Sequence, residues 1–159
     1  MIDMLVAVGY SPVAEAEQTV RLAEAARLVG ELPYRWLEIG LRRAPAAAAA
    51  RHLDGAADVL AREGWTQNQM RARDGGVCLA KALMRAAELG HGDHPDRPGM
   101  DFRATTYYVA GRYLDVMVLA RTGSPKWYLG WNDAPGRTAV EVLELVRDAA
   151  EFARVHGPR

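Results

Sequence analysis

The sequence predicts a mainly α fold: one compact helical bundle of about five to six helices, with at most one or two short strands. Helix start and stop signals recur along the chain, and alternating runs of β-branched residues are almost absent. The 159 residues are enough for one domain with its own core. Half of them are apolar and a quarter are charged, as in ordinary globular proteins.

Two helices are predicted before residue 45. In the first, Ser11 can act as N-cap, Pro12 fits the first helical position, and Gly30 can end the helix. A shorter second helix follows Pro33 in "YRWLEIGLRRA". The apolar residues that share one face of the first helix are Val13, Ala16, Val20 and Ala23.

Two further helices are predicted over residues 45–64 and after Gly75-Gly76 up to Gly90. A fifth spans roughly residues 102–121, where the apolar pattern is nearly continuous and indicates a central position. The apolar stripes of these three helices comprise Ala49, Leu53, Ala56 and Leu60, then Leu79, Leu83 and Ala86, then Tyr108, Tyr113, Met117 and Leu119.

The last predicted helix begins at Thr138 and ends near His156. Thr138 and Glu141 have the spacing of a capping box, in which each side chain accepts from a backbone N–H of the other residue. Short strands are predicted at residues 2–8 and around "KWYLGW", where aromatic residues favour extended structure.

Charge and composition restrict the function classes. The 20 basic and 20 acidic residues balance, so long-range attraction of nucleic acid is not expected. The single cysteine excludes an internal disulfide and a cysteine-rich zinc site, and it fits a reducing compartment. No segment has the pattern of a secretory signal or a membrane span, so we predict a cytoplasmic protein. The Arg- and Ala-rich composition is typical of GC-rich bacterial genomes.

The stretch "GWNDAPGRTAVEV", residues 130–142, carries the densest cluster of polar and aromatic residues. Trp131 is expected to anchor the chain in the core, and "APGR" fits a type II turn. This leaves Asn132, Asp133 and Arg137 without a structural task. The Asn-Asp pair is a candidate for binding a cation or a polar ligand, and Arg137 for binding a carboxylate or phosphate. The alternative is an Asx-turn with Arg137 paired to Asp133.

A second candidate surface is the polar loop "GWTQNQMRARDGG". It enters through Trp65, and Gln67 is among the side chains that could form a binding lip or satisfy turns within the loop. We therefore predict a binding surface made of six residues from the loop and the turn: Trp65, Gln67, Trp131, Asn132, Asp133 and Arg137.

The single cysteine, Cys78, lies in the first turn of the fourth predicted helix, where the helix dipole can stabilise a thiolate. A catalytic thiol also needs a base, for which His91 or His94 are candidates, and an orienting group such as Asp133 or Asn132. A thiol packed on the apolar face of the helix is the alternative.

The segment "HGDHPD" places two histidines and two aspartates within six residues, a donor set that could suit a divalent ion. It lies between Gly and Pro residues in a predicted loop without ordered helical spacing, so we predict no metal site. "DGGV" lacks the Lys-Ser/Thr ending of a phosphate-binding loop, and we predict no cofactor.

Three motifs together, "GW" at Gly64-Trp65, "DGGVCLAKAL" and "WNDAPGRTAVEVLELV", resemble a family of small uncharacterised proteins from actinobacteria and their phages. The resemblance covers roughly residues 52–153. It implies no reaction, and it favours residues 52–153 as the family-like core of a single domain, with residues 1–45 as an N-terminal helical extension.

Two functions from different classes follow from the sequence. The first is a non-catalytic binding or regulatory module that recognises a protein partner or a small polar ligand. The second is a cysteine-dependent hydrolase or acyltransferase that uses Cys78 and a histidine base, which requires loop 90–101 to fold back over the start of the fourth helix. No membrane partner is expected, nucleic acid is not favoured, and a homodimer would be compatible with apolar helix faces.

Overall fold

Seven α-helices form within residues 12–159, the part of the chain that the computed structural model describes. These helices are α1 (Pro12–Val29), α2 (Arg35–Leu41), α3 (Ala46–Glu63), α4 (Leu79–Glu88), α5 (Thr106–Thr122), α6 (Tyr128–Asn132) and α7 (Ala139–His156). Short 3-10 turns, Leu32–Tyr34 and Phe102–Ala104, precede α2 and α5. The predicted mainly α fold is confirmed, whereas the proposed N-cap Ser11 lies outside the described residues.

Helix α5 occupies the centre of the domain and contacts each of the other six helices. Thr105 caps its start by accepting a hydrogen bond from the Tyr108 backbone N–H at 3.2 Å, and Gly123 ends it with a φ of 74°. Tyr113 and Met117 are fully buried within it. The nearly continuous apolar pattern of this segment therefore reflects a helix that is surrounded by others, as predicted.

The apolar stripes predicted for α3 and α4 are confirmed, since all seven of their residues are buried. Small side chains let α3 approach both α4 and α7 closely. At Gly55 the loop after α4 also comes close, because a Cβ there would lie 2.5 Å from Cγ of His91. This contact fixes the loop that follows α4 against α3.

A buried histidine joins three helices in the core. The Nε2 atom of His52 donates to the Leu83 carbonyl at 2.8 Å, and Nδ1 accepts from the Thr106 hydroxyl at 2.8 Å. The Thr106 oxygen in turn accepts from the backbone N–H of Asp93 at 2.7 Å. Burial lowers the pKa of His52, which favours the neutral ring that these hydrogen bonds require.

The apolar face indicated for α1 is wrong. Val13 and Val20 are 67% and 69% exposed, whereas Leu22 and Leu28 pack into the core. Both sets of residues have helical spacing, so periodicity does not distinguish them. Burying the two leucines removes more apolar surface from water, which stabilises the fold by about 1.5–3 kcal/mol for each side chain.

The strand predicted around "KWYLGW" is also wrong, because residues 128–132 form α6. Its first N–H group, on Tyr128, donates at 2.8 Å to the buried carboxylate of Asp115 on α5. Aromatic residues favour strands when a neighbouring strand pairs with them, and residues 12–159 contain none. Here a tertiary acceptor starts a helix instead. The strand predicted at residues 2–8 lies outside the described residues.

The segment between α3 and α4 is a folded loop held by its own backbone. Gly64, with a φ of 84°, ends α3, and the Thr66 N–H then donates to the Val77 carbonyl at 3.1 Å. The Cys78 N–H donates to the Met70 carbonyl at 3.1 Å. These isolated bridges draw both ends of the loop together without forming a strand ladder. Within residues 12–159, no helix is long and apolar enough to cross a membrane.

Candidate functional site

The Trp-Asn-Asp turn meets the loop after α3 at a fully buried side chain, Asn132, the last residue of α6. Its Oδ1 accepts from the Trp65 indole at 2.7 Å and from the Leu79 N–H at 3.4 Å. Its Nδ2 donates to the Thr66 carbonyl at 3.3 Å and to the Asp133 carboxylate at 2.8 Å. One amide thus joins α6, the loop and the start of α4.

Gln67 and Asn68 complete the same contact from the loop side. The Gln67 amide donates to the Asn132 carbonyl at 3.0 Å and to the Ala134 carbonyl at 2.8 Å. The Asn68 N–H donates to the Asp133 carboxylate at 2.8 Å, with a φ of 58° that Asn tolerates better than most residues. We call this contact between the loop and the turn the loop–turn junction.

Arg137 packs against Trp131 of the same turn. Its Nε donates to the Trp131 carbonyl at 2.9 Å, and the guanidinium stacks on the Trp131 ring at 3.8 Å from its centroid. The suggested pairing with Asp133 is wrong, since the acidic partner of Arg137 is Glu141 at 3.7 Å. The flat guanidinium gains a cation–π interaction with the indole, which holds it over the turn.

The turn before the last helix has the predicted local structure. Thr138 and Glu141 form the capping box, with the Thr138 N–H donating to the Glu141 carboxylate at 2.8 Å. Gly136 has a φ of 81°, and the Arg137 N–H donates to the Ala134 carbonyl at 3.2 Å. The capping box and this turn are therefore confirmed.

The structure thus brings together all six residues predicted as a binding surface. Most of their polar groups, however, are bonded to one another. Trp65, Asn132 and Gln67 use their hydrogen-bonding groups within the junction. The motif therefore holds the loop, α6 and the start of α4 together. That these six residues also bind a ligand stays a prediction.

Cys78 is the N-cap of α4 and is 5% exposed. Its sulfur accepts weakly from the Lys81 N–H at 3.5 Å and lies 3.7 Å from the sulfur of Met70. The thiol is adjacent to the loop–turn junction, because the next residue, Leu79, bonds to Asn132. It therefore lies at a helix N-terminus, as predicted, but is covered by the loop.

The candidate bases lie at the other end of the same helix. His91 and His94 follow α4, whose ten residues span about 15 Å. His91 packs on Gly55 of α3, and the ring of His94 lies 3.8 Å from Asp96 in its own loop. The structure does not bring either histidine to Cys78, so the geometry gives the thiol-hydrolase hypothesis no support.

The "HGDHPD" loop instead starts α5. The Asp93 carboxylate accepts from the Thr106 N–H at 3.1 Å and pairs with Arg97. Within the described part of the chain, no group of three or more His, Cys, Asp or Glu side chains is placed to hold a metal ion. Asp93 thus has an observed structural role at the start of α5.

A pocket that the sequence did not indicate lies between α2, α5 and the segment that leads into α6. It has a volume of about 430 Å³, within the range of small-molecule sites. Trp36 and Trp127 line it and remain 52% and 62% exposed. The remaining lining residues are Leu37, Arg112, Asp115, Pro125 and Lys126. We call this cavity the tryptophan pocket.

An ion pair on α5 forms part of the pocket wall. Nη2 of Arg112 lies 2.9 Å from Oδ2 of Asp115, and the guanidinium lies 4.8 Å from the centroid of the Tyr108 ring. The Arg112 stem packs against Gly40 of α2, where a Cβ would lie 3.0 Å from the arginine Cγ. A glycine at residue 40 therefore lets α2 approach α5 at this point without displacing the arginine stem.

Burial changes the ionisation of Asp115. Desolvation raises the pKa of Asp115 to about 6, although Arg112 and the Tyr128 N–H both favour the charged carboxylate. The Nε of Arg112 is buried and has no hydrogen-bond partner in residues 12–159. A buried donor without a partner costs about 1–3 kcal/mol.

One sequence signal could have identified this wall. Arg112 and Asp115 stand three residues apart on one face of the most apolar helix. Charged residues are rarely buried unless they are paired, so such a pair in a central helix marks a polar feature of the core. That Trp36 and Trp127 converge on the pair depends on tertiary packing.

The fold and the pocket define the class of protein: a mainly helical domain with a cavity of small-molecule size beside a buried ion pair. A family model matches residues 44–152, and its description is a family of unknown function (DUF6197). The match covers more than half of the chain, which therefore belongs to this family. No curated protein and no solved structure matches the chain. The predicted membership of an uncharacterised family is thus confirmed.

Proposed function

We propose that this chain is a non-catalytic binding module for a small planar ligand, with the tryptophan pocket as its site. The observation that carries the proposal is the placement of two exposed tryptophans, Trp36 and Trp127, at a cavity walled by the Arg112–Asp115 pair. Ligand sites commonly combine aromatic walls with a few polar groups that orient the ligand.

The exposed tryptophans support a site because their position is costly. A tryptophan that is half exposed leaves a large apolar area in water, and each indole could contribute more stability if it were buried. The chain buries Trp131 at 4% exposure, so exposure is not the rule for its indoles. A ligand between Trp36 and Trp127 would cover the surface that the fold leaves open.

The concave shape favours a small ligand over a protein surface. A volume of about 430 Å³ is that of a single small molecule, and the polar groups at its wall are few. The proposal requires no nucleophile and base in contact. It therefore agrees with the separation of Cys78 from His91 and His94.

The four tryptophans offer a direct test. Each indole N–H gives one cross-peak in a ¹⁵N-correlation spectrum, and single Trp→Phe variants assign the four signals. Adding unlabelled indole, a neutral planar probe, should shift the Trp36 and Trp127 signals in a saturable way. The Trp65 signal should stay in place, because its N–H donates to the buried Asn132.

The opposite pattern would overturn the proposal. If indole, up to its solubility limit, leaves Trp36 and Trp127 unchanged, the cavity is not a binding site for planar molecules. If it shifts Trp65 and Trp131 alone, binding occurs at the loop–turn junction instead. A Trp127→Ala variant that still shows the full Trp36 response would also contradict a site shared by the two rings.

A further inference from the structure

We infer that the ligand of the tryptophan pocket is an aromatic carboxylate, a planar ring that carries one negative charge. This inference rests on the proposed function and names the chemistry of the ligand. It follows from which hydrogen-bonding groups at the pocket are already used by the protein and which are left over.

The carboxylate at the pocket wall is already bonded. Asp115 is the one acidic residue that lines this pocket in the described part of the chain. Its Oδ1 accepts from the Tyr128 N–H at 2.8 Å, and its Oδ2 lies 2.9 Å from Nη2 of Arg112. A cationic ligand would have to compete with Arg112 for the same carboxylate.

Donors and positive charge are in surplus. The Nε of Arg112 has no partner, although it is buried. Lys126 lines the pocket, is exposed, and forms no ion pair within residues 12–159. Since Asp115 balances only one of the two cations, the pocket has a formal excess of one positive charge. A ligand that brings a carboxylate would offer a partner to the exposed Lys126 ammonium and balance that charge.

The walls indicate the rest of the ligand. Trp36 and Trp127 offer flat apolar surfaces, on which an aromatic ring can stack or pack edge to face. Leu37 and Pro125 extend the apolar lining. A ring with one short acidic arm therefore matches both the apolar walls and the donors beside them.

Three probes of similar size and different charge test the assignment: indole-3-acetate, indole-3-acetamide and tryptamine. Their affinities for the full-length chain are measured by calorimetry at pH 7.5 and low salt, and the indole N–H spectrum locates each binding event. We expect indole-3-acetate to bind at least tenfold more tightly than the neutral amide, and tryptamine to bind most weakly.

The two lysines of the chain provide a matched pair of variants. Lys126→Gln removes the exposed cation at the pocket, and we expect it to weaken indole-3-acetate binding severalfold more than indole-3-acetamide binding. Lys81→Gln removes the same charge on α4, outside the pocket lining, and should leave the preference intact. Lys126 is on the surface, so its replacement should not disturb folding.

Each outcome decides the assignment. Equal affinities for the three probes, with Trp36 and Trp127 shifted in every case, would reject the aromatic carboxylate and leave the proposed function standing. Tighter binding of tryptamine would do the same. If none of the probes shifts Trp36 or Trp127, the proposed function itself fails. If Lys81→Gln and Lys126→Gln weaken the preference for indole-3-acetate equally, the preference comes from the overall charge of the protein. A specific role for the pocket would then be rejected.

Discussion

The side chain of Asn132 connects three segments of this domain by hydrogen bonds. It is fully buried and uses both ends of its amide, so that the indole of Trp65 and the backbone of Thr66 and Leu79 all find partners in it. Adjacent loops are thereby fixed by an amide rather than by a strand ladder. This role accounts for an Asn in the turn without invoking a ligand.

Replacing this residue should therefore destabilise the fold. Asn132→Ala leaves several buried groups without partners, and we expect the free energy of unfolding to fall by about 3 kcal/mol in urea titrations. Asn68→Gly is a control in the same loop: its φ of 58° suits glycine, so stability should change little. An Asn132→Ala variant as stable as the parent would contradict a structural role for the junction.

Asp115 provides a pH test at the same scale. Its pKa is raised from 3.8 to about 6 because burial disfavours the charged carboxylate. The folded state thus holds the proton more tightly than the unfolded state. The stability that Asp115 contributes is full below pH 3.8 and is lost as the pH rises through 6.

Asp115→Asn removes this titration and still offers an acceptor to the Tyr128 N–H. The parent and the variant should be compared by urea unfolding from about pH 3.5 to about pH 7.5, which covers the titration in both states. We expect the stability of the parent relative to the variant to decrease as the pH rises, by up to about 3 kcal/mol over the whole titration. A difference that is constant or increases with pH would mean that Asp115 is not desolvated.

At the scale of helices, a buried carboxylate joins α1, α5 and α7. Asp148 is 1% exposed and accepts from Arg21 at 2.7 Å, from Arg121 at 2.6 Å and from Gln18 at 3.0 Å. Two guanidinium groups around one carboxylate supply the partners that a buried charge needs. This cluster selects which side of α1 faces the core.

Removing that carboxylate leaves two partly buried cations without their main partner. We therefore expect Asp148→Ala to lower the free energy of unfolding by about 3–5 kcal/mol. Glu144, about half exposed, contacts the same two arginines from the surface. Glu144→Gln is accordingly the control, with an effect below about 1 kcal/mol. Equal effects of the two variants would show that burial of Asp148 does not matter.

At the scale of the whole molecule, the pocket combines two parts of the chain. Trp36 and Leu37 precede the family-matched range of residues 44–152, whereas Arg112, Lys126 and Trp127 lie inside it. The first two helices also contribute Leu22 and other core residues that pack on the remainder of the domain. The pocket is thus complete only when the segment before residue 44 is present.

A fragment of residues 44–159 tests this dependence. Without α1 and α2 it exposes buried apolar surface on α5 and α7, so we expect lower thermal stability than in the full chain. Trp127 in the fragment should no longer respond to indole, because the opposite wall is missing. A fragment that retains both the stability and the Trp127 response would show that residues before 44 are dispensable for the pocket.

Helix starts, caps and turns, which depend on interactions within a few residues, could be predicted from the sequence alone. Pro12 at a first helical position, the capping box of Thr138 and Glu141, and the positive φ of Gly136 depend on backbone sterics and nearby hydrogen bonds. The helical class and the central α5 followed as well, since periodicity reports burial wherever one stripe is clearly the most apolar.

Features that depend on residues distant in the chain were decided only by the tertiary structure. The buried face of α1 depends on Asp148 and on the fit to α5 and α7, because two apolar stripes compete on that helix. The helix at residues 128–132 depends on an acceptor from α5, which overrides the strand preference of its aromatic residues. The tryptophan pocket is likewise a product of packing: Trp36 and Trp127 are 91 positions apart, and only the docking of α2 on α5 brings them to the same cavity.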